Sequence, residues 1–498
     1  MLTATKTEKK SSLSQKVSFV LFASIFKHGL SLFSGVVTAR ILFPQDFGII
    51  SMAATFAGLI DVFSRFGFEA FIMSRQEISN KEVNSVYLSN ILIGIFSAII
   101  VIIGAPFVAQ AYHTPQVQHI LVFSAILFFI NSLASIPRAL LIRDMQQEFI
   151  SKVEILQGFL NTAFIIIFAL LGFRYLSYVV ALLIANSAVC LIYLATTKWK
   201  FSIVFDKKIL DQAFVYGKSF LPKTILNYFV YNSDYIFVGY LLGSTLLGYY
   251  CFGFDKALIL ASVLVGVHCN IFFPLFSKIQ TNAAELKKTF FSLVEKQTFV
   301  VYPLIFIQIL LAKEIIGLIY GSRWDNSILT FQLILGYAFL RTTSSIIHVL
   351  FDAVGMPEQN LKHFLLITPM CVAAFFIGAK MGGLIGVSLA AFIIHSFTTS
   401  LLFVRAGLVF KWGFKELVAL LSKCFIPTML LMPVIIPFKM YLNAINLPNY
   451  MIVLIIIPAC LALYLFFASL TLKDTYNDMV LNYGKKILGK FKLVSSSS

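Results

Sequence analysis

The sequence predicts an all-α polytopic membrane protein of about fourteen transmembrane helices, and three observations carry that reading. Hydrophobic residues make up 59% of the 498 residues and charged residues only 12%, with a mean hydropathy of +0.89, a balance foreign to soluble domains. Apolar runs of about 20 residues recur from Val17 to Leu472, separated by short polar breaks, and each is long enough to cross a bilayer as a helix. The period-2 alternation of a membrane barrel is absent.

The formal net charge of +17 would suggest nucleic acid in a soluble protein. Here the basic residues gather at alternate loops and are not interleaved with aromatic residues, so a cytoplasmic-side bias explains them and no nucleic-acid partner is expected. Cys190, Cys251, Cys269, Cys371, Cys424 and Cys460 all fall within or at the ends of apolar runs, without a CxxC pair. They read as small buried hydrophobes; neither a disulfide framework nor a metal site is expected.

In chain order, residues 1–16 form a polar, Lys-bearing cytoplasmic tail, and the long apolar run behind it does not read as a cleavable signal peptide. Residues 17–197 hold six spans and form a first lobe, near 17–42, 47–72, 83–110, 117–142, 153–174 and 175–197. The charged stretch 198–212 reads as a cytoplasmic linker. A second lobe, 213–407, holds spans near 213–242, 247–273, 291–318, 327–352, 361–380 and 383–407. Residues 408–472 add spans thirteen and fourteen, and 473–498 form a basic cytoplasmic tail. This orientation puts roughly 26 Lys and Arg on the cytoplasmic side and about 6 outside. Both termini are then cytoplasmic.

Two internal matches support the lobes. ILFPQDFG, Ile41 to Gly48, aligns with LLGSTLLG, Leu241 to Gly248, at a shift of 200 that places Gly48 on Gly248. AYHTPQVQHIL, from Ala111, aligns with IYGSRWDNSIL, from Ile319, at a shift of 208 that pairs Tyr112 with Tyr320. Nearly equal shifts at equivalent span positions point to a parallel repeat.

Polar residues inside the spans mark candidate sites, because a charge at mid-membrane costs about 2.5 to 3.5 kcal/mol on insertion scales and should face protein or water. Lys223, Asn227, Tyr231 and Asp234 follow helical spacing on span seven and form the first candidate pathway. Lys27 sits in a stripe of Ser and Gly on span one, where the small residues also suit close helix packing. Asp61, Arg65 and Glu69 stand four residues apart on span two, a spacing for a self-neutralising ladder or for charges that exchange partners. Asp255 and Lys256 open span eight, and Arg341, Ser345, His348 and Asp352 share one face of span ten. His348 is either a proton carrier or a satisfied buried hydrogen-bonder. Pro222, Pro303, Pro369, Pro427, Pro433 and Pro458 allow kinks, and Gly382 with Gly383 reads as the turn between spans eleven and twelve.

TARILFPQDFGIISMA, Thr38 to Ala53, FGFEAFIMSR up to Arg75, LIRDMQQEF at Leu141 to Phe149, and NSDYIFVGYLLGSTLLGYY, Asn232 to Tyr250, together resemble the polysaccharide-export flippases. These are the Wzx-type branch of the multidrug/oligosaccharidyl-lipid/polysaccharide exporter superfamily. The resemblance implies a V-shaped pair of helix bundles working by alternating access around a cationic cavity. Its substrate would be a polyprenyl-diphosphate-linked oligosaccharide, moved from the cytoplasmic to the outer leaflet for O-antigen, capsule or exopolysaccharide synthesis. Lys27, Arg65, Lys223 and Arg341 are then candidate cations for the diphosphate, with Asp61, Asp234, Asp255 and Asp352 as charge partners or carriers of a coupling H+ or Na+. Asn227, Tyr231 and His348 would add cavity polarity. No cofactor is expected; membrane lipids, a polysaccharide polymerase and chain-length proteins are the expected partners, in a bacterial cell membrane.

A lipid II flippase and an ion-coupled multidrug exporter share that architecture and are the nearest alternatives. A membrane polymerase or ligase fits less well, since the outer connections are short and Ala111 to His119 holds no Asp, Glu, Lys or Arg. There is no HExxH, GxSxG or P-loop, so no hydrolase of those types and no ATP-driven pump is indicated, and the chain does not read as an enzyme.

Overall fold

The computed structural model describes residues 19, 23, 26–64, 67–75, 77–197 and 199–482. Arg65, Lys198, the whole N-terminal tail and the end of the C-terminal tail lie outside the described residues. The protein is an all-α, multi-pass membrane protein: among the described residues there is no strand, and eleven helices are long and apolar enough to cross a bilayer. The chain divides into two compact units, Met1–Cys251 and Phe252–Ser498.

The first unit contains α1 (residues 26–41), α2 (Pro44–Ser64), α3 (Phe68–Ser74), α4 (Asn80–Ala111), α5 (Gln116–Arg143), α6 (Gln147–Leu170), α7 (Leu176–Thr196) and most of α8 (Lys207–Ala257). Expected spans seven and eight meet in α8 at one residue, Gly243, whose φ of 83° and ψ of 176° reverse the chain without a longer loop. Only glycine adopts that conformation without a Cβ penalty. The α8 helix begins at Lys207, six residues earlier than the expected span, because the linker is shorter than its polar composition suggests.

That linker is docked. Trp199 and Phe201 pack edge-on against Tyr87 at 4.8 and 5.4 Å, the Ser202 N–H donates to Asn84 Oδ1 at 2.8 Å, and the Asp206 N–H donates to Ser85 Oγ at 3.1 Å. Lys81 reaches Asp206 at 2.7 Å and holds its carboxyl below the ordinary value of 3.8.

The matched repeat segments touch. A methyl group added at Gly48 would collide with the Ser244 carbonyl, and one added at Gly248 would collide with the Pro44 carbonyl. Since Ser244 is Pro44 shifted by 200 and Gly248 is Gly48 shifted by 200, the contact is reciprocal. Each segment supplies a glycine to the other's backbone, which is how small residues let membrane helices approach closely. Tyr228 adds to this face: its hydroxyl donates to the Thr55 carbonyl while its ring lies against Gly58.

The second unit runs through α9 (Ile259–Val267), a π-turn at His268–Phe272, α10 (Phe273–Ile279), α11 (Ala283–Leu310), α12 (Ala312–Ile319), α13 (Ile328–Ala353), α14 (Pro357–Phe410), α15 (Phe414–Ala444) and α16 (Asn449–Thr471), then the short α17 (Lys473–Tyr476). Its core includes Trp324, stacked on Phe252 at 3.9 Å, with Tyr320 edge-on to Phe252 at 4.8 Å. Expected span eight is not one helix. It changes register at Leu258 and again at the π-turn, which leaves Cys269 exposed and corrects the expectation that all six cysteines are buried; the other five are. Spans eleven and twelve form α14 and reverse at Gly383, φ 54°, where Gly378 and Gly386 then press backbone to backbone. The close approach of these two glycines is therefore a consequence of the turn. Spans thirteen and fourteen, α15 and α16, are anchored by Lys439, which reaches Glu314 at 2.9 Å and the Leu310 carbonyl in a nearly dry contact. Proline interrupts more helices than expected, at Pro106, Pro137 and Pro437 as well.

Gly48→Ala and Gly248→Ala are each expected to destabilise the protein by about 1 to 3 kcal/mol through overpacking, seen as a lower melting temperature in detergent. Gly29→Ala, where a methyl meets nothing within 4 Å, should leave it unchanged. The linker is predicted to be pH-sensitive only in acid. A depressed carboxyl pKa stabilises the docked state above the ordinary value of 3.8 and loses that contribution as pH falls through the lower folded value. Hydrogen-exchange protection of residues 199–206 should therefore be level from neutral pH down to about 5 and drop below about 4, with Asp206→Asn removing the acid limb.

Candidate functional site

The first unit encloses a cavity of about 620 Å³. Seven of its helices contribute the polar wall: α1 brings Lys27, α2 brings Asp61, α5 brings Asn131 and Arg138, α6 brings Glu154 and Gln157, and α7 brings Asn186. Helix α3 adds Glu69, and α4 adds Asn90.

Charge in this cavity is arranged around Glu154. Arg138 reaches one Glu154 oxygen at 3.2 Å and Glu69 at 3.8 Å, while Lys27 approaches the other Glu154 oxygen at 3.6 Å. Each cation thus has a carboxylate within ion-pair distance, which lowers the cost of placing charge among membrane helices. Asp61 accepts a hydrogen bond from Ser64 Oγ at 3.2 Å at the same wall. A second, smaller cavity of about 270 Å³ shares Asp61, Phe128 and Asn131 with the first and is otherwise mostly apolar.

An amide chain crosses three helices beside the ion pairs. Gln157 Nε2 donates to Asn186 Oδ1 at 2.6 Å, and Asn186 Nδ2 donates to Asn131 Oδ1 at 3.3 Å. Asn90, by contrast, is buried and spends its amide on the Ser132 carbonyl and Ser135 Oγ, at 2.7 and 2.8 Å, tying α4 to α5. Gly94 sits against Ser132 at the same crossing, where any larger residue would clash.

Of the residues expected to form a site, Lys27 and Asp61 line this cavity. The span-seven set divides: Lys223, Asn227 and Tyr231 are half-buried on α8, whereas Asp234 is fully buried and accepts a hydrogen bond from Tyr250 at 2.8 Å, joining the two arms of α8 across Gly243. In the second unit Asp255 is exposed and the Arg341 guanidinium lies 5.9 Å from the Tyr337 ring centre. His348 and Asp352 are brought together through Asn360, which pairs with His348 Nδ1 and donates to Asp352 Oδ1, both at 2.8 Å.

The residues missed are Arg138, Glu154, Gln157, Asn131 and Asn186 in the cavity, and His268 in the second unit. His268 is buried in the π-turn and bonded to Ser345 Oγ at 2.6 Å and Gln297 Oε1 at 2.5 Å. A signal existed: Asn131 and Arg138 are two turns apart, Glu154 and Gln157 one turn apart, each inside an apolar run. Among the described residues no group of three or more His, Cys, Asp or Glu is placed to hold a metal ion.

A family model described as "Polysaccharide biosynthesis protein" matches residues 37–329, more than half of the chain. The chain belongs to that family. Its match covers the whole cavity wall apart from Lys27. Within this polysaccharide biosynthesis family the chain is 24% identical over 388 residues to the lipopolysaccharide biosynthesis protein WzxC of Escherichia coli, covering 76% of this chain and 77% of that protein. It is 22% identical over 260 residues to the teichuronic acid biosynthesis protein TuaB of Bacillus subtilis, covering 52% of this chain and 54% of that protein. Among solved structures, the lipid II flippase MurJ in an inward closed conformation superposes with a TM-score of 0.75 at 16% identity, covering 91% of this chain and 99% of that one. This family member therefore shares the fold of that structure.

Arg138→Ala is expected to lower stability by about 1 to 3 kcal/mol, because it strips a charged hydrogen bond from half-buried Glu154. Glu154→Gln in the same chain should restore part of the loss. Melting temperatures of the two single variants and the double variant in detergent give the coupling, and strict additivity would show that the pair contributes nothing.

Proposed function

We propose that the protein is a flippase that moves polyprenyl-diphosphate-linked oligosaccharide units from the cytoplasmic to the outer leaflet of a bacterial cell membrane, for surface polysaccharide synthesis. The observation that carries this reading is a polar, ion-paired cavity of about 620 Å³ inside the membrane-spanning helices of a polysaccharide biosynthesis family member. A glycan is too polar to cross lipid and needs such a wet interior, while a polyprenyl tail can remain in the bilayer. The excess of Lys and Arg at alternate loops supports cytoplasmic termini, and places the end of the bundle bearing Glu69 toward the cytoplasm, where substrate is made.

In this reading the two lobes, 17–197 and 213–407, alternate in access, and Lys223 and Arg341 are each candidate cations for the diphosphate. Asp352 and His348, linked through Asn360, are the groups best arranged to couple H+ or Na+ movement to the cycle. One elementary charge moved through the field supplies about 2.3 kcal/mol per 100 mV. No chemistry is assigned to the chain itself; a polymerase and chain-length proteins would act on the delivered unit.

A second reading, an ion-coupled exporter of cationic compounds, is favoured by one observation: among the described residues the cavity holds three carboxylates, Asp61, Glu69 and Glu154, against two cations. Deletion of the gene in its native cell separates the two. The flippase predicts loss of surface polymer and accumulation of complete lipid-linked glycan on the cytoplasmic face, restored by the wild-type chain but not by Lys223→Ala or Arg341→Ala chains that still insert. Unchanged glycan lipids with new sensitivity to cationic compounds would favour the exporter.

A further inference from the structure

We infer that the cavity of the first unit is a subsite for uncharged sugar residues and that the diphosphate is held elsewhere; this rests on the flippase reading and assigns the substrate part that the cavity meets. The charge balance argues first. A diphosphate needs uncompensated cations, but Arg138 already lies against Glu69 and Glu154, and Lys27 against Glu154. Carboxylates outnumber cations three to two among the described lining residues. A diphosphate or an acidic sugar would be repelled or unpaired there.

Chemistry of the uncharged wall argues second. An amide side chain offers both donors and an acceptor, and a sugar hydroxyl likewise donates and accepts, so a row of amides matches a row of hydroxyl or N-acyl groups. In the chain Gln157, Asn186, Asn131, the internal hydrogen bonds fix the orientation of all three amides. Two ends stay open: Asn131 Nδ2 and Gln157 Oε1 have no partner among the described residues. One end is a donor and the other an acceptor, on facing helices α5 and α6, with the carboxylates of Asp61 and Glu69 as further acceptors on the same cavity. Polar groups held in place by their neighbours are what give a binding site directional selectivity.

Size argues third. At about 620 Å³ the cavity lies within the range of about 300 to 1,000 Å³ that holds small organic ligands, so it accommodates sugar residues and leaves the polyprenyl chain outside. Asn90 spends both of its amide hydrogens within the protein, so it offers the cavity no donor, and it ties α4 to α5 beside the cavity.

The test uses the full-length protein in lipid nanodiscs and two probes: undecaprenyl diphosphate without sugar, and the glycan lipid extracted from the deletion strain. Wild type is expected to bind the glycan lipid more tightly than the bare diphosphate. Asn131→Ala and Gln157→Ala should each reduce that advantage by about fivefold to tenfold, as loss of one or two net hydrogen bonds gives, while affinity for bare undecaprenyl diphosphate stays level and so reports a folded protein. An advantage retained in both variants would overturn the inference, as would an equal loss of affinity for both probes, which would place the diphosphate in the cavity. So would a repeat unit composed wholly of acidic sugars. Failure of the flippase reading looks different: no glycan lipid accumulates in the deletion strain, and wild type does not bind undecaprenyl diphosphate.

Discussion

The first unit depends on one steric constraint, the mutual approach of Pro44–Gly48 and Ser244–Gly248. Each segment presses a glycine onto the backbone carbonyl of the other, so neither position has room for a methyl group. Because the contact joins residues related by the same shift of 200, it has the self-complementary form of a two-fold interface within a single chain. The Gly243 reversal positions it by turning α8 back immediately before Ser244. Asp234 and Tyr250, both buried, then lock the two arms of α8 together by a hydrogen bond on the inner side of the turn. On that account Asp234 is first a positioning group for the crossing.

Around this crossing, the helices solve a common problem in two ways. Polar groups within a membrane must find partners, since lipid offers none. In the cavity of the first unit the partners are side chains from different helices, so Glu154, Arg138, Lys27 and Glu69 hold α1, α3, α5 and α6 in one charge-compensated set. In the second unit the partners are mostly uncharged: Asn360 joins His348 to Asp352, and His268 leaves the regular helix in a π-turn to reach Ser345 and Gln297. Short π-turns of this kind occur frequently at functional positions. A nearly dry ion pair of that unit, Lys439 with Glu314, anchors α15 to α12.

The contrast bears on how the substrate is divided. A self-neutralised, amide-rich cavity suits hydroxyl-bearing residues, whereas the diphosphate calls for cations whose charge is not already spent. The family's description as polysaccharide biosynthesis is compatible with the cargo proposed above, while a shared fold at 16% identity carries no information about specificity.

Composition and hydropathy alone determined that the chain crosses the membrane as helices, because about 20 apolar residues in succession have no other stable form in lipid. The repeat at a shift of 200 was also legible, since glycine at a backbone crossing cannot vary without a steric cost, and Lys27 and Asp61 were legible because charge inside a span demands an explanation. Which polar residues converge was decided only by the tertiary structure. Helical spacing reports the face of one helix, so it grouped Asp234 with Lys223 although packing turns Asp234 inward to Tyr250. Glu154, Arg138 and the Gln157–Asn186–Asn131 chain lie on separate helices up to 55 residues apart in sequence, and one helix's periodicity carries no information about the partner it will face. The reversals at Gly243 and Gly383 fall where the sequence places breaks between spans, but the π-turn at His268 was hidden for the same reason: local hydropathy runs straight through it, and only the packing of neighbouring helices decides that the backbone changes register there.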